Sequence, residues 1–198
     1  MSDGAHTKLT VDTAIDDVDR CDLLIVPGGI PAVTMARQGH RLVDWIQSIH
    51  PTTQWTTSVC TGALMLGAAG VLDGLPATTH WFCHAELANY GAIPTDQRVV
   101  TAGKVVTAAG VSAGIDMALT LTERIAGTAY AQATQLDMEY EPEPPLDAGS
   151  PNTAPPAVTA WLADMYADML DHPDRHAEMH NNPDMYAGIL DHPDPDHE

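Results

Sequence analysis

Cys60 is the residue of this chain best placed to do chemistry. It closes the run Trp55-Thr-Thr-Ser-Val-Cys60 and precedes Thr61-Gly-Ala-Leu-Met-Leu-Gly-Ala-Ala-Gly70. The first stretch reads as a buried strand and the second as a helix opening at Thr61 and Gly62, with a sharp turn between them. A cysteine at such a junction lies beside the first unpaired backbone N–H groups of a helix, whose partial positive charge favours a thiolate. Gly62 and Ala63 are small enough to let another group approach the sulfur. The pattern is that of a nucleophile elbow with sulfur in place of the serine oxygen. The structural alternative is a free cysteine packed as a small hydrophobe.

The elements that must hold this turn are legible on either side of it. Residues 22–26 are continuously apolar after Asp22 and stop at Pro27-Gly28-Gly29, as a strand of a parallel sheet buried on both faces would. Leu42, Val43, Ile46 and Ile49 recur at helical spacing, and Pro51 ends that helix. A short strand is expected near 77–79, a brief helix over 86–90, and a hairpin from 99–101 and 104–107 about Ala102-Gly103. Helices are expected over 112–126 and 128–140. Strands alternating with helices predict an α/β fold with a largely parallel sheet.

Composition narrows the partners. Eight basic residues face 27 acidic ones, a formal charge of −19 over 198 residues. Nucleic acid and anionic membrane need clustered cations, so neither is expected as a partner. Cys21, Cys60 and Cys83 form neither an even set nor a Cys-x-x-Cys pair, so neither a disulfide framework nor a metal site is expected. No apolar run approaches the ~18–20 residues needed to cross a bilayer, and Met1-Ser-Asp-Gly-Ala-His lacks the form of a signal peptide. A reducing cytoplasm is the expected location.

Beyond Glu141 the character changes. Glu141-Pro-Glu-Pro-Pro145 cannot continue a helix, and residues 151–156 read as extended or turn-rich. Asp164-Met-Tyr-Ala-Asp-Met-Leu-Asp-His-Pro-Asp174 then returns as Asp184-Met-Tyr-Ala-Gly-Ile-Leu-Asp-His-Pro-Asp194, twenty residues later. Two copies are too few for a solenoid. The expected division is a domain over 1–156 and an acidic tail over 157–198, with short helical stubs ended by His-Pro. His172, His176, His180, His192 and His197 among the acids leave weak divalent-metal binding as the lesser alternative to a solvated tail.

Five motifs occur in a telling order: Pro27-Gly-Gly-Ile-Pro31, Ser58-Val-Cys-Thr-Gly62, Ala77-Thr-Thr-His-Trp81, Gly110-Val-Ser-Ala-Gly-Ile-Asp116 and Asp147-Ala-Gly-Ser-Pro-Asn-Thr-Ala-Pro155. Together they resemble the ThiJ/PfpI superfamily, the cysteine branch of the class I glutamine amidotransferase-like fold. Within it the chain is most similar to isonitrile hydratases and to the sensor domains of AraC-type regulators. The resemblance implies a flavodoxin-like three-layer sandwich and a small-molecule substrate, with no cofactor and a homodimer. It implies that Cys60 is the nucleophile and that the N–H groups of Gly29 and Ile30 stabilise developing negative charge. Thr61 joins the site where protease-like relatives carry histidine, which argues against proteolysis. The resemblance places His80 near the thiol, behind the groups that would touch substrate, and Asp116 reads as a partner of its own helix N-terminus.

The resemblance also implies a strand–helix–strand opening that carries an acidic residue beside the cysteine. The segment matching Thr7-Lys-Leu-Thr10 comes after that opening in relatives, so the fold is expected to be N-terminally incomplete, and its hydratase activity weak or absent. Asp12, Asp16 and Asp17 read as turn residues and do not replace that acid. The leading expectation is an isonitrile hydratase-like enzyme or the catalytic remnant of one. A non-catalytic ligand- or redox-sensing domain is the alternative, and thiol-based stress protection a third.

Overall fold

The structure, a computed structural model, describes residues 10–172. The chain divides into two compact units: Val18–Pro145, and the two terminal segments up to Asp17 and from Leu146 onward. The first holds the sheet. Its elements are β1 (Leu23–Val26), α1 (Ile30–Gln38), α2 (Arg41–Ile49), β2 (Trp55–Val59), α3 (Gly62–Ala68), β3 (Pro76–Ala77), a 3₁₀ helix (Trp81–Tyr90), β4 (Ile93–Pro94), β5 (Val99–Ala102), β6 (Val105–Ala108), α4 (Ala113–Ala126) and α5 (Thr128–Asp137).

The main sheet runs β1-β2-β6-β5. β1, β2 and β6 are parallel, and β5 closes antiparallel on β6 through the hairpin expected from Ala102-Gly103. β3 and β4 form a separate parallel pair. Helices cover both faces, the flavodoxin-like arrangement. On one face α4 packs Ala113, Met117 and Leu121 against Val106 and Ala108, with Trp55 and Val59 of β2 at the margin. Each such large side chain removed from water contributes about 1.5–3 kcal/mol. On the other face α3, with Leu64 and Leu66 fully buried, lies over β1 and β2. Within this unit β1 and β5 are the edges of the sheet, and Leu23 and Ile25 of β1 stay 40% and 51% exposed.

A polar relay closes the end of the sheet opposite Cys60. Lys104 Nζ donates to the carbonyls of His50 (2.6 Å) and Thr53 (3.2 Å). Thr53 Oγ1 also donates to His50 O, which spends its one proton. The 2.7 Å contact between Thr53 and Thr56 hydroxyls must then be donated by Thr56. Thr56 Oγ1 is left to accept from His50 Nδ1 at 2.8 Å, which fixes His50 as the Nδ1–H tautomer. Burial, with Lys104 adding to it, pushes the His50 pKa down. The folded chain thus binds fewer protons than the unfolded chain in the window below the ordinary histidine pKa of 6.5. The His50 contribution is fully present above that value. Urea denaturation should show stability falling as pH drops through it. The slope should flatten in His50→Asn, whose amide N–H replaces Nδ1–H. An unchanged slope in that variant would remove His50 from the titration.

The second unit contains α6 (Pro156–Asp171). Across the first repeat copy the sequence favours a short stub, whereas the structure has one 16-residue helix. It begins on Pro156, whose missing N–H costs nothing at a helix start, and ends just before His172-Pro. The second copy and the remaining tail histidines lie outside the described residues.

Candidate active site

The elbow forms where β2 meets α3. Cys60 has φ 56°, the left-handed region that side chains adopt at a cost. Its N–H donates to Ala108 O (3.0 Å) of β6, and its carbonyl accepts from Thr79 Oγ1 (2.7 Å). The strained residue is thus held by backbone on one side and by a buried hydroxyl on the other. Glycines make the close approach possible. A Cβ on Gly28 would lie 2.6 Å from Cys60 Cβ and 3.0 Å from its Sγ. A Cβ on Gly62 would run into the Val26 carbonyl oxygen. The loop after β1 therefore lies directly against the cysteine.

Thr61 joins that loop to the elbow. Its Oγ1 accepts from Gly29 N–H (2.8 Å) and donates to Gly29 O (2.9 Å), bridging 32 residues of chain. The hydroxyl proton is already committed, so Thr61 fixes a peptide orientation. Gly29, at φ 127°, adopts a backbone conformation essentially reserved for glycine. Its N–H is engaged by Thr61. Ile30 opens α1, so its N–H belongs to the first-turn amides that have no partner within the helix. Of the two proposed donors, Ile30 has the amide not already committed to Thr61.

His80 precedes the 3₁₀ helix, and Gly110 packs beside its ring, a Cβ there lying 3.9 Å from His80 Cδ2. Phe82 N–H points at His80 Nδ1 (3.4 Å), so Nδ1 accepts and the ring proton sits on Nε2. Burial pushes the His80 pKa down, and at neutral pH it is an uncharged imidazole. An uncharged imidazole can accept or pass on a proton, which a fixed cation cannot. Burial pushes the Cys83 thiol to about 11, and burial with Asp22 raises that of Cys21. Asp116 is a clasp: its Oδ2 accepts from Arg98 Nε (2.7 Å) and its Oδ1 from Tyr140 O–H (2.8 Å). No group of three or more metal-ligating side chains occurs among the described residues, and no described helix is long and apolar enough to cross a membrane.

Sequence reasoning gathers Cys60, Thr61, Gly29, Ile30 and His80 around one turn. It passes over Thr79 and Gly28, although both stand inside motifs it uses, Ala77-Thr-Thr-His and Pro27-Gly-Gly. A buried threonine hydroxyl beside the cysteine carbonyl has no signature in spacing.

Fold and elbow together define a class: an α/β domain presenting a cysteine on a strand-to-helix turn beneath a glycine loop. Residues 1–124 match the DJ-1/PfpI family, and the chain belongs to that family. It is 46% identical over 157 residues to isonitrile hydratase of Pseudomonas putida, a match spanning 79% of this chain and 68% of that protein. It is 29% identical over 142 residues to the HTH-type transcriptional regulator GbdR of Pseudomonas aeruginosa, spanning 71% of this chain and 38% of the regulator. Among solved structures, a ThiJ/PfpI family protein from Pseudomonas syringae superposes with a TM-score of 0.74 at 36% identity, covering 82% of this chain and 68% of that one. The similarity supports an enzyme activity related to isonitrile hydration, in a family that also includes regulator domains.

Proposed function

We propose that this chain hydrates an isonitrile to an N-substituted formamide with Cys60 as nucleophile. The observation that carries the reading is the positive-φ cysteine at the elbow, together with 46% identity to an isonitrile hydratase. The thiolate of Cys60 attacks the terminal isonitrile carbon. That carbon takes one proton, giving a thioimidate on sulfur. Water then adds to the thioimidate carbon and the C–S bond breaks, releasing the formamide and restoring the thiol. The sum is one isonitrile plus one water giving one formamide, with no redox change. Ile30 N–H is the donor assigned to the developing negative charge, Thr61 holds the Gly29 peptide in place, and neutral His80 is assigned to proton transfer.

The test is direct: the 198-residue chain is incubated with an alkyl isonitrile and formamide is followed by proton NMR. Weak turnover above the buffer rate is expected, and none at any pH from 6 to 9 would overturn the reading. The relation to GbdR supports a second reading, a ligand-sensing domain. Saturable binding of a small molecule without conversion would favour it. A homodimer in a reducing compartment completes the proposal, and light scattering reads the assembly.

A further inference from the structure

Between α1 and the 3₁₀ helix Trp81–Tyr90 lies an open cleft of about 710 Å³, lined by Arg37, Phe82, Ala85, Glu86, Asn89 and Tyr90. Its size falls among ligand sites, which span about 300–1,000 Å³. Arg37 meets Glu86 in a bidentate pair, Nε to Oε1 at 2.9 Å and Nη2 to Oε2 at 2.8 Å. The two charges cancel across the cleft, so its charged wall offers little net attraction to an ion. Phe82 and Tyr90 supply apolar surface, and Tyr90 packs its ring against Gly67 of α3, where a Cβ would lie 2.8 Å from Tyr90 Cβ.

Two stretches of chain lead from the elbow to the cleft, and Cys83 on the 3₁₀ helix lies within electrostatic reach of Cys60 as well as of Arg37 and Glu86. Thr79 bonds the Cys60 carbonyl, His80 follows, and the rings of His80, Trp81 and Phe82 form a row with centroids 5.6 Å and 5.8 Å apart. Phe82, the last of the row, is also a wall of the cleft. On the other side α1 starts at Ile30 against the elbow and reaches Arg37 two turns later, about 10 Å on at 1.5 Å per residue.

We propose that this cleft seats the uncharged organic substituent of the molecule whose reacting carbon meets Cys60, and that Phe82 and Ala85 set how large that substituent can be. The inference rests on the reading of Cys60 as the nucleophile. An aromatic row leading to a charge-balanced cleft matches a substrate with a small polar reacting end and a bulky neutral body. A free ion would leave solvent without a compensating partner there.

The experiment compares iodoacetamide with N-benzyliodoacetamide, following alkylation of the Cys60 peptide by mass spectrometry. The ratio of the two rates in the native chain is referred to the ratio in urea. The native ratio should favour the benzyl reagent by about tenfold, the scale on which an apolar pocket discriminates. Ala85→Trp fills the cleft and should remove that preference while leaving the iodoacetamide rate within about twofold. Phe82→Ala should lower the preference several-fold and serves if the tryptophan variant misfolds. A native ratio equal to that in urea, or equal slowing of both reagents in Ala85→Trp, overturns the proposal. Alkylation is read whether or not the chain turns over isonitriles. A benzyl preference without formamide would leave the cleft standing and sink the hydratase reading. Formamide production without the preference would do the reverse.

Discussion

Cys60→Ala should lose formamide production by about 10⁴-fold or more, leaving no more than the rate that binding and backbone donors provide without a nucleophile. The thiol carbon–sulfur bond is the only covalent path in the proposed reaction, so no neighbouring group can take its place. Thr61 cannot, because its proton is donated to Gly29 O. Cys83 cannot, because it is 3% exposed and its thiol is pushed to about 11. The fold should survive the change. Alanine carries the same Cβ as cysteine, so the φ of 56° costs the variant about what it costs the parent. Steady-state formamide rates and thermal melting of the same samples make the comparison. A variant that melts within a few degrees of the parent and still turns over isonitriles would remove sulfur from the mechanism.

Gly62→Ala should be the most damaging single methyl in the described structure. On helix propensity alone alanine is favoured over glycine by about 1 kcal/mol. The site reverses that sign. The new Cβ would be driven into the Val26 carbonyl oxygen and would sit 2.8 Å from that of Pro27. Both are backbone atoms at the end of β1, and neither can rotate away. The strand end must move, and with it Gly28, Gly29 and the bond to Thr61. Overpacking of this kind costs about 3 kcal/mol, a large share of a domain's ~5–15 kcal/mol. Gly149→Ala, where the added atom meets nothing within 4 Å, is the control. Urea denaturation of the three proteins reads the effect, and a Gly62→Ala chain as stable as its parent would show that the close approach is not as described.

The parts of this fold that sequence discloses are those governed by local pattern. Continuous apolar runs with glycine or proline at their ends mark β1 and β2, and Ala102-Gly103 marks the hairpin of β5 and β6. Small residues after Cys60 mark α3. Proline is where reading by pattern goes astray. Residues 151–156 read as extended or turn-rich, yet Pro156 opens α6, where a missing N–H is no loss. Within the candidate site, sequence brings the residues to the same turn but not their hydrogen bonds. The Thr61–Gly29 bridge, the Thr79 bond to Cys60 O and the Arg37–Glu86 pair join positions 32, 19 and 49 apart. Such bonds depend on where the sheet delivers each side chain, and no periodicity encodes them.

The left-handed backbone at Cys60 has an evolutionary reading. Glycine would adopt that turn without the ~1–2 kcal/mol that a side chain incurs there. A lineage judged only on how well the domain folds would therefore drift from cysteine to glycine or asparagine at this one position. Where the sulfur is kept, selection is acting on something other than folding. In descendants that have given up the chemistry, position 60 is where the loss should first be written.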